Sequence, residues 1–165
     1  MNKRDAKDHA REHLRGVWAA TLTPFTEDGR FDEAGFRHNV RHWIRDLRLA
    51  GLFVGGKQGE FYAMSLAERK RSFEIAVEEA HAAGPLELAG TQIGPGAKKG
   101  TRRAGIMLSC SDQSLDVVLE LARYAEQLGA DYIVVHTPLL YFGAHTDDTI
   151  FEYYRHIADQ VNIGV

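Results

Sequence analysis

At 165 residues, 44% hydrophobic and 26% charged, the chain can bury one ordinary globular core and is too apolar to be a disordered tail. With 20 basic against 23 acidic residues, a formal charge of −3 supplies no broad field for a polyanion, so nucleic acid is not an expected partner. The lone cysteine, Cys110, excludes an intramolecular disulfide framework and fits a reducing cytoplasm, and no run approaches the roughly 20 apolar residues of a membrane helix.

Met1 to Arg15 is dense in charged residues and His, lacks the apolar stretch of a signal sequence, and is expected to project or fray as an extension. Gly16 to Phe25 then reads as a buried strand closed by Thr23-Pro24 and the turn at Glu27-Asp28-Gly29. Phe36, Val40, Trp43, Ile44 and Leu47 recur at helical spacing, with Asp32 placed to open the helix and Gly51 to close it.

Leu52-Phe53-Val54 is a short apolar strand that runs into the glycine-rich loop Gly55 to Glu60. Ser65 and Glu68 form a capping-box pattern for a helix reaching about His81, with Phe73, Ala76, Val77 and Ala80 on its inner face. Two segments compete for the third strand, Leu86 to Gln92 and Gly105 to Cys110. A glycine-rich basic insertion near 93–104 separates them. Leu115, Val118, Leu119, Ala122 and Ala125 pattern the next helix, which ends at Gly129. Tyr132 to His136 is a strand stopped by Thr137-Pro138. Ile150, Phe151, Tyr154, Ile157, Ala158 and Val161 mark a last helix, and Asn162 to Val165 begins a fifth strand.

Apolar strands alternating with amphipathic helices imply an α/β protein with a parallel sheet. Periodicity leaves open whether the sheet is doubly wound or part of a barrel; either way, chemistry gathers at the C-terminal ends of the strands.

The landmarks now carry a resemblance. Gly56-Lys57-Gln58-Gly59-Glu60 after the second strand, Thr23-Pro24-Phe25 with Asp28-Gly29, and Leu128-Gly129-Ala130-Asp131 before a strand ending in Thr137-Pro138 resemble the dihydrodipicolinate synthase and N-acetylneuraminate lyase family of lysine Schiff-base aldolases and dehydratases. The resemblance covers about Gly16 to Val165 apart from the basic insertion. It implies a partial (β/α)8 TIM barrel of about four βα units plus a fifth strand, with residues 1–15 as an extension and 16–165 as the N-terminal half of the barrel. It also implies a lyase acting on pyruvate or another small 2-oxo acid, with no cofactor or metal and as a homo-oligomer. In the family the imine-forming lysine ends the sixth strand, whereas this sequence stops within the fifth. A chain inactive on its own is therefore expected.

The resembled loop holds the substrate carboxylate, which assigns substrate binding to Gly56, Lys57, Gln58 and Gly59. Lys57 and Gln58 stand where the family has hydroxyl residues, so the charge and amide donors here suit a carboxylate in a pocket of altered size. The backbone N–H groups around both glycines are expected to contribute more than either side chain, and Glu60 is expected to hold the turn. The family's proton-relaying tyrosine falls at Leu139; Tyr141, two residues on, is the substitute expected to be catalytic. His136, ending a strand, is placed to touch a ligand, while Cys110 is expected as a small core residue. His38 and His42, four apart, have a metal-ligand spacing but sit beside Arg37 and Arg41 as a solvated helix face.

Two other readings compete. One is a non-catalytic half-barrel that assembles with itself or binds a small acid. The other is a flavodoxin-like sheet that binds a phosphorylated ligand at Lys98, Lys99, Arg102 and Arg103, although their order fails the phosphate-loop pattern.

Overall fold

The computed structural model describes residues 3–88, 101–138, 143 and 145–165. Helix α1 (Ala6–His13) precedes β1 (Trp18–Ala20), and α2 (Glu33–Arg41) leads to β2 (Gly51–Val54). Helix α3 (Leu66–Ala83), β3 (Gly105–Ser109), α4 (Leu115–Leu128), β4 (Tyr132–Val134) and α5 (Asp147–Gln160) complete the succession. The strands form one four-stranded parallel sheet in chain order β1-β2-β3-β4, and Gly164 bridges in parallel to Tyr132. A doubly wound sheet reverses its strand order at a switch point, and no reversal occurs here. The sheet advances in one direction, as in a TIM barrel, and the flavodoxin-like alternative is set aside.

The two faces of the sheet differ chemically. Leu52 and Val54, Ile106 and Leu108, and Ile133 lie on the helix side and are almost completely buried against Phe36, Val40, Phe73, Ala76, Val118, Ala122 and Ile157. A fully buried aromatic or aliphatic side chain of this kind contributes about 2 kcal/mol from burial. On the other face the register groups residues into rows: Trp18, Gly51 and Gly105; then Ala20, Phe53, Met107 and Tyr132; then Ser109 and Val134. These rows are layers of a barrel interior.

Local chemistry sets most helix ends. The Asp32 carboxylate accepts from the Gly35 N–H, and Ser65 with Glu68 completes a reciprocal capping box at α3. Thr146 and Thr149 cap α5 in the same way, and Gly129 closes α4 with φ +78°.

Several expectations are corrected. The third strand is Gly105–Ser109, flanked on both sides by parallel neighbours, while Leu86 pairs antiparallel with Arg102; residues 89–92 of the rival segment lie outside the described residues. Gly51 does not close a helix but opens β2. The chain turns instead through a π-helical segment, His42–Asp46, and through Arg48 at φ 53°. Leu47 and Phe151, expected on inner faces, are exposed, because the helices are packed through Phe36, Val40 and Ile44 and through Ile157.

The charged N-terminal segment does not project. His9 Nδ1 lies 2.7 Å from the Tyr132 hydroxyl, and Arg102 donates to the carbonyls of His13 and Arg15. Of the basic insertion near 93–104, Thr101 to Ala104 are described and lead into the N-terminal end of β3.

Candidate active site

The C-terminal ends of β1, β2, β3 and β4 converge on the turn that follows β2. Gly55 has φ +69°, and a Cβ there would meet Phe73 at 3.4 Å and Ser109 Cβ at 3.9 Å. A Cβ on Gly56 would lie 2.6 Å from the Phe53 ring, so any larger residue there must displace that strand's own aromatic side chain. Gly59 packs with its Cβ position 3.1 Å from the Thr21 carbonyl oxygen. The glycines thus seat the turn against the ends of β1 and β3, at the rim of the sheet.

Main-chain bonds close the turn. The Gly59 N–H donates to Gly56 O (3.0 Å) and the Glu60 N–H to Lys57 O (3.1 Å), with Glu60 left-handed at φ 52°. Glu60 therefore shapes the turn through its backbone. The Gly59 amide is spent inside the turn. The Lys57 and Gln58 side chains are exposed, whereas Gly56 and Gly59 are buried. From β1, Thr23 Oγ1 donates to Gly59 O (2.7 Å), and the Thr21 N–H donates to Phe53 O (3.0 Å).

At the end of β3 and just beyond it, Ser109, Cys110 and Ser111 are all buried. Burial pushes the Cys110 thiol far above its ordinary pKa, and the nearby Arg69 charge opposes this only in part. Cys110 is thus an unreactive core thiol, as expected. The buried Arg69 guanidinium donates to Asp112 (3.0 Å), Ser109 O (3.3 Å) and Ser111 O (2.8 Å), and it lies 5.1 Å from the centre of the Phe61 ring. One cation therefore fastens the segment after β3 to the short helical turn Phe61–Ala63.

His136, just past β4, is bound twice by Ser111. Its main-chain N–H donates to Ser111 Oγ (2.9 Å), and its Nδ1 lies 2.8 Å from the same oxygen. Burial first, and then the Lys57 charge, hold the His136 imidazole below its ordinary pKa. The Lys57 charge on the turn after β2 is thus felt just past the end of β4.

Of the residues expected to act, Gly56, Lys57, Gln58 and Gly59 lie together at this rim, and His136 joins them. Tyr141 lies outside the described residues. His42 is removed from the site and pairs with Asp46 at 2.8 Å. Sequence reasoning missed Arg69 and Ser111. Arg69 sits four residues before the core residue Phe73 on α3, a spacing that points it inward; Ser111 carries no comparable signal.

Among known proteins, the profile of the Dihydrodipicolinate synthetase family matches residues 13–91. The N-acetylneuraminate lyase of Clostridium perfringens is 33% identical over 149 residues, 90% of this chain and 44% of that protein. Among solved structures, CdNal of Clostridium difficile, in complex with mannosamine, superposes with a TM-score of 0.74 at 29% identity, over 91% of this chain and 44% of that one. A prophage protein of E. coli belonging to the dihydrodipicolinic acid synthase family, in complex with pyruvate, shares the fold at TM-score 0.71 and 24% identity, over 91% of this chain and 43% of that one. The chain thus spans less than half the length of each of these proteins.

Proposed function

The chain belongs to the dihydrodipicolinate synthetase family, and from that premise we propose that it forms the carboxylate-binding side of a lyase site for pyruvate or another small 2-oxo acid. The observation that carries this reading is the seating of the Gly56–Gly59 turn at the strand ends, with the Lys57 charge felt at His136. A carboxylate resting there meets the Lys57 ammonium, the Gln58 amide and the Lys57 and Gln58 main-chain N–H groups. Charge-assisted hydrogen bonds of this sort are the strong ones.

The family's chemistry runs through a lysine imine, whose protonated form draws electrons from the neighbouring carbon and permits carbon–carbon cleavage, condensation or loss of water. The resemblance puts that lysine at the end of a sixth strand. The sequence contains Lys3, Lys7, Lys57, Lys70, Lys98 and Lys99, none of them on a described strand. Lys57 binds the carboxylate in this proposal and is not the nucleophile. Tyr141 is proposed to relay protons beside the substrate.

Borohydride reduction in the presence of pyruvate, read by intact mass, separates the parts of this reading. The 165-residue chain is expected to gain no covalent adduct while pyruvate shifts the amide signals of residues 56–59. An adduct on Lys57 would overturn its binding role, and amides that ignore pyruvate would overturn the site.

A second reading, self-assembly without turnover, is favoured by one observation. Val134, Val135, Phe151, Tyr154 and Val165 line an open apolar groove of about 570 Å³ beside β4. Exposed apolar surface of this kind promotes association, so a homo-oligomer is proposed in either case. No described helix is long and apolar enough to cross a membrane. The proposed compartment is the cytoplasm, in keeping with the single free thiol.

A further inference from the structure

The hydrogen bonds around Ser111 fix more than the position of His136. Ser111 Oγ accepts from the His136 main-chain N–H (2.9 Å) and from the Ser109 hydroxyl (3.3 Å), which occupies both of its lone pairs. Its own proton is then directed to His136 Nδ1, 2.8 Å away. Nδ1 is therefore an acceptor, and the neutral ring carries its hydrogen on Nε2. Burial and the Lys57 charge both favour the neutral ring. Behind Ser111 the Arg69 guanidinium is bonded to Ser111 O and to Asp112, so the serine is itself held in place. Nε2–H, with no partner among the described residues, is the ring donor left over where the chain leaves β4, within reach of the Lys57 charge.

A ligand anchored at Lys57 by its carboxylate carries its next polar atom one carbon away. We propose that His136 is a specificity-determining residue that donates from Nε2–H to the C2 oxygen of the bound acid, with Ser111 as the positioning residue that fixes its tautomer. This rests on the carboxylate site proposed above. It makes the turn after β2 the anchor and the end of β4 the discriminator between 2-oxo acids and plain carboxylic acids. Neither the Lys57 ammonium nor the Gln58 amide can make that distinction alone, since both recognise the group the two kinds of acid share.

The test compares pyruvate with propionate, which has the same carbon count and charge but no C2 oxygen. Binding of each to the 165-residue chain is followed through the amide signals of residues 56–59. Pyruvate is expected to bind about fivefold tighter, the size of one neutral hydrogen bond. His136→Phe should reduce the ratio to near one while leaving propionate unaffected, and Ser111→Ala should lower it part of the way. Equal binding of the two acids by the unsubstituted chain overturns the role of His136 and leaves the carboxylate site standing. Failure of both acids to bind removes the site itself. Should His136→Phe not fold, the ring nitrogen signals of the unsubstituted chain decide: a dominant Nδ1–H tautomer overturns the proposal, and a dominant Nε2–H tautomer together with a pyruvate-specific shift of Nε2 supports it.

Discussion

Thr23 Oγ1 donates to the Gly59 carbonyl oxygen over 2.7 Å, across 36 residues of sequence, and so ties the loop after β1 to the turn after β2. Thr23→Val keeps the shape and removes the donor, leaving a partly buried carbonyl without that partner. A loss of about 1 kcal/mol in chemical denaturation is expected. Hydrogen exchange at Glu60, whose N–H closes the same turn, should quicken more than exchange in α4. Equal effects at both places would mean that the bond does not stabilise the turn.

Glu79, buried on α3, accepts from Arg37 (2.6 Å) and from Arg41 (2.7 and 2.9 Å), both on α2. The Arg41 hydrogen bonds, and then those of Arg37, hold its carboxyl below the usual pKa against the opposing effect of burial. A depressed folded-state pKa stabilises the fold at pH above the unfolded value of about 4.3, and that stabilisation is lost as pH falls through the folded value. Glu79→Gln should therefore flatten the acid limb of stability below about pH 4.3 and lower stability at pH 7. Glu79→Ala leaves Arg37 paired with Glu78 and Arg41 largely in solvent, so a cost of about 1 kcal/mol is expected. An unchanged acid limb in Glu79→Gln would assign acid sensitivity to other carboxylates, such as Glu68 and Glu74, which are also depressed.

Trp18 lies across Gly51 and Gly105 in the first interior layer. A Cβ at either glycine would stand 2.3 or 2.4 Å from its ring. Gly51→Ala should cost about 1–3 kcal/mol through overpacking. In a Trp18→Leu background the same substitution should cost less, a coupling measurable by a double-mutant cycle. Strict additivity would show that the indole does not fill the space these glycines leave.

Phe151 is 65% exposed on the apolar groove beside β4. Phe151→Glu should change folding stability by less than about 0.5 kcal/mol and weaken self-association in sedimentation velocity over a concentration series. Undiminished association would move the contact to another surface.

Much of the site was legible because its signals are local. The glycines of 55–59 announce a sharp turn after an apolar strand, and the Ser65–Glu68 box fixes where α3 begins. The family resemblance then supplied the parallel barrel and the expectation that this turn binds a carboxylate. The choice between Leu86–Gln92 and Gly105–Cys110 was not legible, because both have strand composition and only pairing with β2 and β4 separates them. The N-terminal helix was misread for a related reason. Its charge pattern describes a solvated segment, while its docking depends on Tyr132 and Arg102, far away in sequence.

By itself, the order of residues determined the alternation of strand and helix, the capped helix starts at Asp32 and Ser65, and the glycine turn that begins the site. Tertiary structure alone decided that Ser111 meets His136, that Thr23 reaches Gly59, and that Leu86 pairs with Arg102. The physical reason is range. Capping and periodicity act over a few neighbouring residues and are written in local pattern. A hydrogen bond between strand ends depends on the register and order of strands, which only the packed sheet sets.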